Sequence, residues 1–192
     1  VYLLIVRILI RNSVVAILEE KGDFVSESLI LRKRGVDIDD DYWGRIINFN
    51  EVQRLELIVE PSHGTNYWRL GLKFSQNEVF TSARYGQNFP LFHLTKDAGE
   101  DALKVHYYNE NGTQEPIPDN TIIKNYKNEK VTVTVEISNN LREVIKITIR
   151  DENNKIVFDK DLNFVFHKFA QLFAWGDGND YEINIKNYLY SK

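Results

Sequence analysis

The side chains able to do chemistry in this 192-residue chain are few, and most stand alone. In Tyr67-Trp68-Arg69-Leu70-Gly71-Leu72-Lys73-Phe74 the apolar and polar residues alternate. Extended backbone would put Arg69 and Lys73 on one side and Trp68, Leu70, Leu72 and Phe74 on the other. His106 and Tyr108 stand two apart and would likewise share a side. Near the end of the chain, Trp175-Gly176-Asp177-Gly178-Asn179-Asp180 sets oxygen-bearing side chains beside an indole. Aromatic faces stack on the apolar C–H face of a sugar ring, while a few convergent polar groups fix its orientation. Arg69, Lys73, His106, Tyr108, Trp175, Asp177 and Asn179 are therefore the candidate ligand-binding residues. Structural roles compete with this reading. Tyr and Trp are ordinary strand residues, Trp68 is expected in the core, and Tyr67, His106 and Tyr108 can serve simply in packing. Asp177-Gly178 is foremost a hairpin turn, because Gly accepts the positive φ such turns require.

Metal and cofactor chemistry finds little support. Asp37-Ile38-Asp39-Asp40-Asp41 matches the acidic start of an EF-hand loop. Tyr42 then stands where the sharp turn needs Gly, and Asn48 where a bidentate Glu should close the site. Acidic residues at a helix start are the simpler reading, since the N-terminal dipole favours them. His63, His93, His106 and His167 are isolated in sequence and lack His-x3-His or His-Glu-x-x-His spacing, so no zinc set is expected. No Gly-Lys-Ser phosphate loop occurs, and no cofactor is expected. Asn111-Gly112-Thr113 fits a glycosylation sequon, but Asn-Gly is first a turn signal.

Composition sets the outer bounds. Hydrophobic residues make up 43% and aromatics 12%, enough for a substantial core. A formal charge of −4 argues against nucleic acid as a partner, which would want a net basic face. Cys is absent, so there is no disulfide framework and no thiol chemistry; that slightly favours a cytoplasmic location. Met is absent too, position 1 included, which fits an excised or processed fragment or a sequence that has lost its methionines. The opening run VYLLIVRILIRNSVVAIL is broken by Arg7, Arg11, Asn12 and Ser13, too early for a membrane-spanning helix. A signal peptide would place basic residues before its apolar stretch, whereas Val1 opens directly into it. A buried soluble segment is expected, with no membrane partner.

The elements that must position these groups divide in two. Over residues 1–50, Arg7 and Arg11 lie four apart, with Leu3, Leu4, Ile8, Val15 and Leu18 free to face a core, as on an amphipathic helix. Ser26 could cap a second helix ending at Gly35, and the Asp run could start a third through Tyr42, Trp43, Ile46 and Ile47. The rival reading of residues 1–34 is a β-hairpin turning at Lys21-Gly22, supported by its β-branched residues. Three short helices around Arg34-Gly35-Val36-Asp37 resemble a winged-helix or helix-turn-helix unit. DNA binding is not expected of it, because the recognition helix would open on acids that repel phosphate. From residue 54 the period becomes two. Leu55, Leu57 and Val59, then Val131, Val133, Val135 and Ile137, then Ile145, Ile147 and Ile149, then Tyr181, Ile183 and Ile185 alternate with polar residues. Turn formers bound each run, as in antiparallel sheets with one wet face, and the absence of helical crossovers predicts a sandwich.

The order YWRLGLKF, KVTVTVEIS, EVIKITIRD, NNKIVFDKDL, HKFAQLFAWGD, DYEINIKNYLY resembles the concanavalin-like jelly roll of legume-type lectins, laminin-G-like domains and laminarinase-type glucanases. The resemblance covers residues 54–192 and rests on pattern rather than on a signature. It implies a mainly β, antiparallel jelly-roll sandwich, here preceded by a small helical segment over residues 1–50. The glucanase branch of that family uses Glu-x-Asp-x-x-Glu on one strand, with its two catalytic carboxylates about 5 Å apart. Glu100-Asp101 and Asp159-Lys160-Asp161 have the wrong spacing and sit at expected turns. No catalytic residue is assigned, and a non-catalytic binding module is expected, with carbohydrate the first ligand class. The alternatives are a protein-interaction or sensor segment, in which the helical unit makes contacts, and a glycoside-active enzyme without the usual carboxylate motif.

Overall fold

The computed structural model describes residues 7–11, 14–21, 24–34, 42–62, 65–75, 91–109, 113–114, 119–137, 144–163, 168–175 and 180–191. Its strands are β1 (Arg7–Arg11), β2 (Val14–Lys21), β3 (Phe24–Arg34), β4 (Tyr42–Asn48), β5 (Val52–Pro61), β6 (Trp68–Ser75) and β7 (Leu91–Lys96). They continue with β8 (Ala102–Tyr108), β9 (Thr121–Lys124), β10 (Val131–Ile137), β11 (Val144–Arg150), β12 (Ile156–Asn163), β13 (Phe169–Trp175) and β14 (Asp180–Ser191). They form an eight-stranded sheet in the order β1-β2-β3-β14-β5-β10-β11-β12 and a six-stranded sheet in the order β4-β13-β6-β7-β8-β9. Every pairing is antiparallel, and neighbours in space are often distant in sequence, as in a jelly-roll sandwich.

Alternation explains the core. Leu55, Leu57 and Val59 of β5, Val131, Val133 and Val135 of β10, Ile145, Ile147 and Ile149 of β11, and Ile183 and Ile185 of β14 point inward from the larger sheet. They meet Trp68, Leu70, Leu72 and Phe74 of β6, with Phe92, Leu94, Leu103, Val105 and Leu172, in one continuous cluster. Each such side chain, fully buried, contributes roughly 1.5–3 kcal/mol against exposure. Trp68 faces the core as expected. Its indole N–H donates to Asn128 Oδ1 at 3.3 Å, and Asn128 Nδ2 donates to the carbonyls of Ser62 (2.9 Å) and Thr65 (2.7 Å). Asn128 adopts the left-handed conformation (φ 68°) that its short side chain tolerates.

The helical expectation for residues 1–50 is overturned. Among the described residues there is no helix; β1, β2 and β3 pair in succession, and β3 docks on β14 over its whole length. The hairpin reading is realised in β2 and β3, with Lys21 opposite Phe24, while β1 adds a further strand that it did not foresee. Tyr42–Asn48, expected as a third helix, is the edge strand β4 of the smaller sheet. The winged-helix resemblance therefore fails, and with it the helical contact unit invoked for protein interaction. The physical reason is that residues four apart share a face on a strand as well as on a helix. Arg7 and Arg11 could not decide between the two, whereas Ile8, Ile10, Val14, Val15 and Ile17 favour strands. The acidic run 37–41 lies outside the described residues. Among those residues no helix is long and apolar enough to cross a membrane.

Candidate functional site

With one side of the six-stranded sheet buried against its partner, the opposite side presents the odd-numbered positions of β6, β7 and β13 and the even-numbered positions of β8. Registers fix three cross-strand rows. In the central row Phe173 lies opposite Gly71, Gly71 opposite His93, and His93 opposite His106. On one side run Trp175, Arg69, Thr95 and Lys104; on the other, Gln171, Lys73, Leu91 and Tyr108. Residues from four strands, more than a hundred positions apart in sequence between β6 and β13, thus line up on one side of the sheet.

His93 is the hub. It is 2% exposed and stacks on His106 with ring centroids 4.9 Å apart and planes at 19°. Tyr108 lies stacked at 5.8 Å, and Phe173 meets His93 edge-on at 6.4 Å. That last approach crosses β6 at Gly71, where a side chain would stand in the way. A Cβ at Gly71 would sit 2.1 Å from the Phe92 carbonyl oxygen and 2.5 Å from His93 Cβ, so the close approach of β7 demands glycine. His93 Nδ1 is hydrogen-bonded to the Thr95 hydroxyl at 2.9 Å, while its Nε2 has no hydrogen-bond partner among the described residues. Gln114 Nε2 lies 2.9 Å from His106 Nδ1; an amide N–H can only donate, which leaves the proton of the neutral His106 ring on Nε2.

Burial sets the charge state. Desolvation drives the His93 pKa down to about 3, helped by the nearby charges of His106 and Arg69. His106, half-buried, is also lowered, first by desolvation and then by Arg69 and Lys104, with Asp97 acting in the opposite direction. Both imidazoles are therefore neutral near pH 7. Lys73 is only 1% exposed, and Arg69 lies over the Tyr67 ring at 5.4 Å. Lys104 binds Glu100 at 2.5 Å and Asp97 at 3.2 Å at the end of the face, contacts that hold its pKa above the ordinary value.

Of the sequence-derived candidates, Arg69, Lys73, His106 and Tyr108 share this face. Trp175 ends β13 opposite Arg69 in the pairing, and Asp177 and Asn179 lie outside the described residues, as do His63 and His167. Sequence reasoning missed His93, Gly71, Gln171 and Phe173. Leu91–Lys96 is short, yet Phe92 and Leu94 alternating with His93 and Thr95 carries the period-two signal that would have found β7. His93 and His106 are far apart in sequence and become neighbours only through the β7–β8 register. Among the described residues, no group of three or more His, Cys, Asp or Glu side chains could hold a metal ion.

Acidic residues are unevenly shared between the strands of the two sheets, whereas basic residues occur on both. The strands of the smaller sheet carry Arg45, Arg69, Lys73, Lys96, Lys104 and Lys124 and not one Asp or Glu. Those of the larger sheet carry Glu20, Glu27, Glu56, Glu136, Asp159 and Glu182 among other acids.

No protein-family model matches the sequence, and no curated protein matches it. Solved structures do match in fold. A legume lectin-like domain from Entamoeba histolytica superposes with a TM-score of 0.51 at 13% identity, covering 94% of this chain and 85% of its own. The endo-β-1,4-glucuronan lyase of the fungus Trichoderma reesei gives 0.51 at 11% identity, covering 98% and 90%. The alginate lyase Aly36B, solved as a mutant with an alginate tetrasaccharide, gives 0.50 at 14% identity, covering 86% and 80%. At these identities the likeness is one of fold. It supports the jelly-roll class and corrects one expectation. The chain was expected to be non-catalytic for want of a carboxylate motif, yet two of these three structures are lyases. A missing glucanase motif therefore does not exclude enzymatic activity on this fold.

Proposed function

We propose that the chain recognises carbohydrate on the outer face of the six-stranded sheet. The observation that carries this reading is the row Phe173–Gly71–His93–His106 with Tyr108 beside it: the half-buried rings of Phe173, His106 and Tyr108, with their hydrogen-bonding groups, stand around a buried centre of Gly71 and His93. Such a surface suits a ligand that is apolar on its ring faces and polar around its rim. A lectin-like domain and a lyase solved with an oligosaccharide among the structures of like fold support the choice of ligand class. Isothermal titration against a panel of oligosaccharides tests it. Binding should be detectable at millimolar ligand and lost in His106→Ala and Tyr108→Ala, with melting temperatures kept near wild type. Absence of any glycan binding at that concentration, or unchanged binding in both variants, would refute the assignment.

A second reading, chemistry on the bound glycan, is favoured by half-buried His106 beside Tyr108. Both are groups that transfer protons when positioned against a substrate. Hydrolysis by a carboxylate pair has no donors on these strands, because none of them carries Asp or Glu. Release of new chain ends from a polysaccharide, abolished in Tyr108→Phe while binding survives, would separate turnover from recognition. Binding without release of chain ends would leave recognition alone.

A further inference from the structure

We infer that the glycan taken by this face is anionic, carrying carboxylate or sulfate groups; the inference rests on the carbohydrate reading above. Roughly one residue in seven of the chain is acidic (28 of 192), yet the six strands of the smaller sheet contain none. Strand chemistry alone does not account for this, since the larger sheet, built of the same antiparallel strands, carries Asp and Glu on most of its members. A chain of net charge −4 has therefore kept negative charge off one sheet.

The outward positions give that segregation a chemical meaning. Arg69 and Lys73 flank Gly71 along β6, and the side chains around them are the Thr95 hydroxyl, the His93 and His106 imidazoles, the Gln171 amide and the Tyr108 phenol. The charge of Arg69 reaches both imidazoles, which it helps keep neutral. Neutral sugars are held best by charged acceptors for their hydroxyl protons, and this sheet supplies no carboxylate for that purpose. A sugar bearing its own anion instead meets the half-buried Arg69 guanidinium and the N–H and O–H donors of His106, Gln171 and Tyr108, the complement of a carboxylate or sulfate. Acids gather at one end, where Asp97 and Glu100 engage Lys104 and Asp101 engages Lys127. An anion is thereby favoured beside Arg69 on β6 and disfavoured beside the Asp97 and Glu100 carboxylates next to β8.

Titration of the full chain with polyglucuronate oligosaccharides, dextran sulfate and neutral cello-oligosaccharides, at about 20 mM and about 500 mM salt, tests this directly. Acidic ligands should bind more tightly than neutral ones and weaken as salt rises. Arg69→Gln should weaken acidic binding by about tenfold or more, the usual effect of losing one charge-assisted contact, while Lys146→Gln on the larger sheet should not. The polyglucuronate and dextran sulfate arms identify which anion is read. Neutral ligands binding as tightly as acidic ones would overturn the inference and leave the carbohydrate reading standing. Acidic binding that Arg69→Gln leaves unchanged would also overturn it. No binding to any of the three ligands would overturn the carbohydrate reading and the inference with it.

Discussion

Acidification offers the most quantitative test of the central row. His93 has a pKa near 3 in the folded protein and 6.5 in an unfolded chain, because burial opposes the imidazolium. A group whose folded pKa is depressed binds more protons when unfolded, so it favours unfolding once the pH falls below the unfolded value. Its contribution is flat above about pH 7 and lost progressively as the pH drops from 6.5 towards 3. Between pH 8 and pH 5 the difference in proton binding amounts to about 2 kcal/mol, and by pH 4 to about 3 kcal/mol. For a chain of this size, 2 kcal/mol corresponds to a fall in melting temperature of roughly 4–8 °C.

The perturbation is His93→Gln, which cannot titrate but keeps an amide within reach of Thr95. Urea unfolding at pH 8, 7, 6 and 5 reads the free energy of both proteins. At pH 8 the variant should be the less stable, having lost the stack with His106. On going to pH 5 wild type should lose about 2 kcal/mol more than the variant, so the two curves converge. His106 also has a lowered pKa, and its loss on acidification is largely common to both proteins. Curves that fall in parallel from pH 8 to pH 5 would show that His93 is not buried neutral, and the hub of the site would be wrong.

Two further substitutions probe the frame that holds the site. Gly71→Ala places a methyl group against the Phe92 carbonyl and His93 Cβ, so β6 and β7 must separate; a loss of about 1–3 kcal/mol is expected by chemical denaturation, together with loss of glycan binding. Asn128→Ala removes the bonds to the Trp68 indole and to the Ser62 and Thr65 carbonyls and leaves a β-carbon at positive φ. It should destabilise by about 2–4 kcal/mol, and Asn128→Gly should cost less because glycine relieves the backbone. A Gly variant no more stable than Ala would argue against backbone strain at this position.

The alternating strands from residue 54 onward were legible because each exposes one face and buries the other, so a period of two is written directly into Leu55–Val59, Trp68–Phe74 and Val131–Ile137. The first fifty residues were not, since Arg7 and Arg11 satisfy a helix and a strand equally and β3 finds its partner, β14, at the far end of the chain. Intrinsic preference had to be overridden or confirmed by pairing that no local window contains.

The site poses the same problem in sharper form. Arg69, Lys73, His106 and Tyr108 could be placed on outward positions because each strand announces its own alternation. That His93 stands opposite His106, and Gly71 between His93 and Phe173, depends on register between strands, which sequence specifies only through turns and burial. Composition by element escapes that limit. The absence of Asp and Glu from Tyr42–Asn48, Trp68–Ser75, Leu91–Lys96, Ala102–Tyr108, Thr121–Lys124 and Phe169–Trp175 needs no register to be seen, only the assignment of those segments to one sheet. Once β13 is known to lie beside β6 and β4, five basic segments and one uncharged segment become one acid-free sheet. The electrostatic character of the face is thus a property of the topology, and a chain acidic as a whole can present a basic site.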